Sequence, residues 1–161
     1  MTKRRYANET SVGVASSRGD IQRVLEQFGA EQIQWSDDFK GGQSMIRFLW
    51  NHEDTTYVAR FSIKAQTEAE MREEAKDGRN GLFSQSKFEK IRARRGMVEH
   101  RELYLLIKAL LVSVEAGIVK AEEVLLPLLE DKTGQTVAEQ VLPHLKKLHT
   151  GSALRLLERN P

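Results

Sequence analysis

Five cations, Lys87, Lys90, Arg94, Arg101 and Lys108, follow one another at spacings of three, four, seven and seven residues. On a continuous helix this spacing puts all five on one side, with Tyr104 in the same row. A positive line with an aromatic between two of its charges suits the phosphates and bases of a nucleic acid. It equally describes the solvated face of an ordinary helix. If the row binds, each cation neutralises a phosphate and releases counterions, so affinity falls steeply with salt and shows little base preference. Gly96 sits in the middle of the row, where it costs about 1 kcal/mol of helix against alanine. A break there leaves Arg101, Tyr104 and Lys108 on the core helix and moves Lys87, Lys90 and Arg94 to a mobile segment.

Two further basic features stand apart from the row. Lys3, Arg4 and Arg5, followed by Tyr6, suit an arm along a groove or backbone, or a terminus that only aids solubility. Arg47, Arg60 and Lys64 fall on strand-like segments. Residues for catalysis are sparser. The chain has no cysteine, which removes disulfides, thiolate zinc sites and cysteine nucleophiles together. His52, His100, His144 and His149 form no His-x-x-x-His pair. Asp37, Asp38, Glu53 and Asp54 cluster in two turns that can be adjacent, and with Lys64 they loosely match a metal-dependent nuclease. Turn formation accounts for the same acids. No phosphate loop, dinucleotide-binding turn or nucleophile elbow occurs. No catalytic residue, metal or cofactor is implied.

The elements that must carry these residues follow from periodicity. With 161 residues and 40% hydrophobic content, the chain suits one domain with a real core. Thr10 to Val14 reads as a short strand, and Ser16, Ser17 and Asp20 as a helix start. Ile21, Val24, Leu25 and Phe28 then recur at helical spacing before Gly29. Three runs alternate with period two: Ile33 and Trp35; Ile46, Phe48 and Trp50; Tyr57, Ala59, Phe61 and Ile63. Their phase makes both tryptophans core residues rather than stacking platforms. The opposite face, with Gln32, Gln34, Arg47, Arg60, Ser62 and Lys64, is expected to be open.

A charged linker or loop is expected over 65–86, with an exposed helix as the alternative from about Thr67 to Gln85. Leu103, Leu106, Ile107, Leu110, Leu111 and Val114 then mark a buried helix ending near Gly117. Glu122 to Leu129 suits a helix that Pro127 kinks or confines to a first turn. Thr136 with Glu139 makes a capping box for a last helix, which contains Pro143. Leu154, Leu156 and Leu157 suit a final segment that docks on the bundle or on a partner.

The expected fold is therefore α+β: an antiparallel three- to four-stranded meander over 9–64 with one covering helix, then a C-terminal helical region over 87–161. No apolar run is long enough for a membrane span, and the basic start lacks the apolar stretch of a secretory signal. A cytoplasmic site of action is expected.

Arg5-Tyr6-Ala7, Thr10-Ser11-Val12, Ser17-Arg18 and Gln27-Phe28-Gly29-Ala30 resemble small uncharacterised proteins of phages, prophages and other bacterial mobile elements. Leu106-Ile107-Lys108-Ala109, Val114-Glu115-Ala116-Gly117-Ile118 and Gly134-Gln135-Thr136-Val137 resemble the same group. These motifs are not chemical signatures, and the charged 66–85 segment departs from the pattern. The resemblance implies a bacterial-host setting in which DNA handling or interference with a host system is common. The leading expectation is non-catalytic nucleic-acid binding through the row and the N-terminal arm. The rival is an accessory or inhibitor that binds a host protein, or a second copy as a homodimer, through leucine-rich C-terminal helices. A metal nuclease comes third.

Overall fold

The computed structural model describes residues 7–149 apart from Arg79, with side chains described as far as Leu145. The expected arm at Lys3, Arg4 and Arg5 and the leucines from Leu154 onward lie outside the described residues.

Helix α1 runs Val14–Gln27, and no strand forms over Thr10–Val14. The helix begins three residues earlier than Ser17 because Ser17, Ile21 and Leu25 share one fully buried stripe. Ser17 is thus an interior helical residue, and Gly13 occupies the cap without a side-chain bond. Gly29 ends the helix at φ 89°, a left-handed conformation that glycine adopts without strain.

Strands β1 (Glu31–Asp38), β2 (Gln43–His52) and β3 (Thr55–Lys64) form an antiparallel sheet in the order β1-β2-β3. The β2–β3 ladder pairs every residue from Gln43 with Lys64 to His52 with Thr55. Ile46, Phe48, Trp50, Ala59 and Phe61 point to one side and are buried there, as the alternation requires. Ile21 and Leu25 of α1 pack on that side.

Helix α2 is short, Glu68–Glu74, and lies within the expected linker. Thr67 caps it reciprocally with Glu70. Helix α3 then runs unbroken through Gly96, from Gln85 to Glu115. Its Leu103, Ile107 and Leu111 join α1 in covering the sheet. Gly96 is the point of close approach to α1: a Cβ built there lies 3.2 Å from Val14 Cγ2. Leu106, expected to be buried, is 51% exposed because it lies on the side of α3 away from the sheet.

After α4 (Ala121–Leu125), a 3-10 turn over Leu126–Leu128 accommodates Pro127. Leu129 makes an isolated bridge to Ala59 and Glu130 N donates to Val58 O at 2.8 Å, so the chain touches the free edge of β3 without adding a strand. Helix α5, Val137–His149, starts with Thr136 and Glu139 bonded reciprocally, at 2.8 and 3.2 Å. The segment from Glu130 to Glu139 covers the Arg47 and Arg60 part of the sheet face that was expected to be open, while Gln32, Gln34, Ser62 and Lys64 on that face are exposed. No helix among the described residues is long and apolar enough to cross a membrane.

Candidate nucleic-acid interface and the opposite cleft

Because α3 is continuous, Lys87, Lys90, Arg94, Arg101 and Lys108 occupy an arc of about 60° and span about 32 Å of its length. Lys87 Nζ reaches Lys76 O at 2.9 Å and is otherwise exposed. Lys90 is exposed and forms no ion pair among the described residues. Arg94 donates to the carbonyls of Asn8 and Thr10. Those partners are neutral, so Arg94 keeps its full charge while it holds the start of the described chain against the row. Lys3, Arg4 and Arg5 precede that point in sequence.

Arg101 lies 3.3 Å from Asp20 of α1, which also pairs with Arg23. Two guanidinium groups thus share one carboxylate, and the trio carries a net positive charge. Arg23, with its side chain 73% exposed, belongs to this surface although no spacing rule pointed to it. An Asp and an Arg three residues apart read as a self-neutralised helix pair. Only the packing of α1 on α3 brings the second arginine to the same carboxylate. Tyr104 is flanked by Arg101 Cζ at 4.5 Å and Lys108 Nζ at 5.7 Å from its ring centre, while its body packs against the core.

The strand cations do not join this surface. Arg47 Nε donates to both oxygens of Glu130 at 3.0 Å. Arg60 is only 8% exposed and donates to Glu139 at 2.6 Å and to Gly134 O at 3.3 Å. Its Nε stands 3.3 Å from Glu130, near enough for charge attraction but not aligned as a hydrogen bond. Both arginines tie the 130–139 segment to the sheet. The Thr136 amide and the Arg60 charge hold the Glu139 carboxyl below its ordinary value, outweighing burial. Lys64 ends β3 near the Glu70 carboxylate.

The two acidic turns are also separated. Asp37 and Asp38 stand at the β1–β2 turn, whereas Glu53 and Asp54 stand at the β2–β3 turn, at the other end of ten-residue β2. A strand of that length puts roughly 30 Å between them. The nuclease-like arrangement is therefore not formed, and no group of three metal-ligating side chains occurs among the described residues.

A cleft of about 460 Å³ opens on the other side of α3, about 150° around the helix from the cations. Arg18 of α1 forms its most ordered wall. It donates to both Asp37 oxygens at 2.7 Å and through Nε to His100 Nε2 at 3.0 Å. An arginine always donates, so His100 Nε2 carries the lone pair and Nδ1–H donates to Gly96 O at 2.9 Å. Burial favours the neutral imidazole and lowers the His100 pKa, against the pull of the Gly96 carbonyl. Burial raises the Asp37 carboxyl, but the Arg18 and Ser44 hydrogen bonds outweigh it and the net shift is downward. Arg18 also stacks on Trp35 at 4.5 Å and Arg92 on Phe39 at 4.7 Å. Arg18 bonds Asp37 through one nitrogen and His100 through another, so the set braces α1, β1 and α3.

Comparison with protein-family models, curated proteins and solved structures finds no match to this chain.

Proposed function

We propose that this chain is a non-catalytic nucleic-acid-binding protein, an accessory of a phage or mobile element. In this reading the cations of α3, with Arg23, contact the phosphate backbone. The observation that carries the reading is the unbroken course of α3 through Gly96, which makes one continuous ridge of charges that were otherwise divisible. Support also comes from Arg94, whose partners, the carbonyls of Asn8 and Thr10, are neutral and leave its charge available.

Fluorescence anisotropy with labelled oligonucleotides at two salt concentrations tests the reading. About five phosphate contacts give a slope of log K against log salt near −4 to −5. The double variant Lys90→Glu, Lys108→Glu removes two contacts without touching an ion pair, and it is expected to cut affinity at least tenfold at unchanged Tm. Binding that ignores both salt and this variant overturns the proposal.

A second reading, a protein partner at the C-terminal helices, is favoured by Val141, Leu142 and Leu145 of α5, exposed by 42%, 52% and 40%. Leu145→Glu separates the two. It leaves oligonucleotide affinity unchanged on the first reading and abolishes partner capture on the second.

A further inference from the structure

We infer that the start of the ridge is a base-stacking position, where Phe83 takes one unpaired base of a single-stranded nucleic acid whose phosphates follow Lys87, Lys90 and Arg94. The inference rests on the nucleic-acid reading above and narrows it to single strands.

Proteins that hold single strands without sequence preference combine a line of positive charge with aromatic rings on which bases stack. Two large aromatic side chains are exposed among the described residues, Phe39 at 53% and Phe83 at 41%. Phe39 lines the cleft, where Arg92 lies over its ring at 4.7 Å. Phe83 instead stands just before α3, at the end where the cation row begins. It forms a bridge with Lys76, and the Lys76 carbonyl accepts from Lys87 Nζ at 2.9 Å. The first cation of the row is thus fixed beside the residue pair that presents the ring. Its partner is a neutral carbonyl, so Lys87 keeps its charge for a phosphate.

The Phe83 ring is held with one side open. Arg72 Cζ lies over it at 5.2 Å, the Phe88 ring centre is 5.8 Å away, and Arg72 is also 5.2 Å from Phe88. These distances make a nearly equilateral triangle, so Arg72 and Phe88 approach Phe83 from the same side. Among the described residues no other ring or cation stacks on it. The backbone that carries it is braced as well: Asp77 N donates to Leu82 O at 2.8 Å and Ser84 N to Ala75 O at 3.2 Å. A ring already oriented in this way loses little freedom when a base lies on it. Arg72 and Lys76 are balanced by Glu68 and Glu73, so the unbalanced charge at this end is that of Lys87 and Lys90. In a duplex each base is stacked within the helix, and a protein ring reaches it only after costly unstacking. An open ring at the head of a phosphate track therefore favours strands whose bases are unpaired.

The test measures anisotropy with a labelled oligothymidine of about twelve bases, an abasic strand of the same length, and a long duplex as competitor. The abasic strand keeps the phosphates and lacks what Phe83 would hold. Phe83→Leu retains an apolar contact with Phe88 and removes the ring. It is expected to bind oligothymidine about tenfold more weakly than the native chain, the loss of one stacked base. Its salt slope is expected to be unchanged, because no phosphate contact is lost. Native chain and variant are expected to bind the abasic strand equally, and Phe83→Trp is expected to restore oligothymidine binding. Per phosphate, the duplex is expected to compete at least about fivefold less well than the single strand. Unchanged oligothymidine affinity in Phe83→Leu, or a duplex that competes as well as the single strand, overturns this inference while leaving nucleic-acid binding intact. Absence of salt-dependent binding to every probe overturns the underlying reading as well.

Discussion

His100 shows how one buried side chain couples three elements. Its ring lies 5.7 Å from Trp35, accepts from Arg18 and donates to Gly96, so β1, α1 and α3 all meet on it. Its pKa in the folded chain lies below the ordinary 6.5, which means that the unfolded chain takes up the proton first. Stability is therefore full above about pH 6.5 and declines as pH falls below it, by at most about 1.4 kcal/mol per pH unit for one proton. A proton placed on Nε2 also confronts the Arg18 guanidinium directly. Asp37 acts in the same direction at lower pH: its depressed carboxyl stabilises the fold above about 3.8, and that contribution is lost as pH falls further. Thermal melts between pH 7.5 and 5 are expected to show a falling Tm for the native chain and a nearly flat one for His100→Gln. A variant that retains the slope assigns the titration to another group. The sequence marked His100 only as one of four histidines without ligand spacing, because two of its partners, Arg18 and Asp37, stand 82 and 63 positions away, beyond any local spacing rule.

Among the elements, α3 settles which local rule prevails at Gly96. Helix propensity marks the glycine as a weak point, yet the helix continues because Gly96 lets α1 approach closely and its carbonyl receives the His100 proton. Gly96→Ala sets two effects against each other. Propensity gains about 1 kcal/mol, while the new Cβ meets Val14 Cγ2 at 3.2 Å. Val14 is the first residue of α1 and only half-buried, so it can yield. The expected result by urea denaturation is a change between zero and about 1 kcal/mol of added stability. Gly96→Leu overfills the crossing and is expected to cost about 1–3 kcal/mol; equal stability of the two variants would show that the helices do not meet there. The meander and the α5 cap were legible because period-two alternation and the Thr136–Glu139 spacing are local signals. The short helix at Glu68–Glu74 was legible only as one of two alternatives, an exposed helix or a linker, because its dense charge suits both; the Thr67–Glu70 cap decides between them. The true start of α1 was not legible. Ser16 and Ser17 look like caps, and only burial against α3 and the sheet makes Ser17 an interior residue. Arg47 and Arg60 read as free surface cations because Glu130 and Glu139 reach them from about 80 residues away.

At the scale of the molecule, α3 is a rod with two unlike sides, cations along one and a braced, mostly neutralised cleft along the other. Arg18-Gly19-Asp20 spans this division within three residues: Arg18 turns to Asp37 and His100 in the cleft, while Asp20 turns to Arg101 and Arg23 on the ridge. The hydrogen bonds and ion pairs of Arg18, Asp37 and His100 share no side chain with those of Asp20, Arg23 and Arg101, and perturbations more than about 7–10 Å apart without common partners add independently. The functions of the two sides should therefore come apart cleanly. Lys90→Glu with Lys108→Glu is expected to weaken oligonucleotide binding at least tenfold and to leave the pH dependence of Tm untouched. His100→Gln is expected to flatten that pH dependence and to leave oligonucleotide affinity at pH 7.5 within twofold of the native chain. Arg101→Ala is the informative intermediate. It removes a ridge charge and releases Asp20 to pair with Arg23 alone, so binding falls by more than a single exposed lysine would cost while the pH slope stays. If the ridge variant alters the pH slope, or the cleft variant alters binding, α3 transmits strain between its two sides and the molecule behaves as one coupled unit.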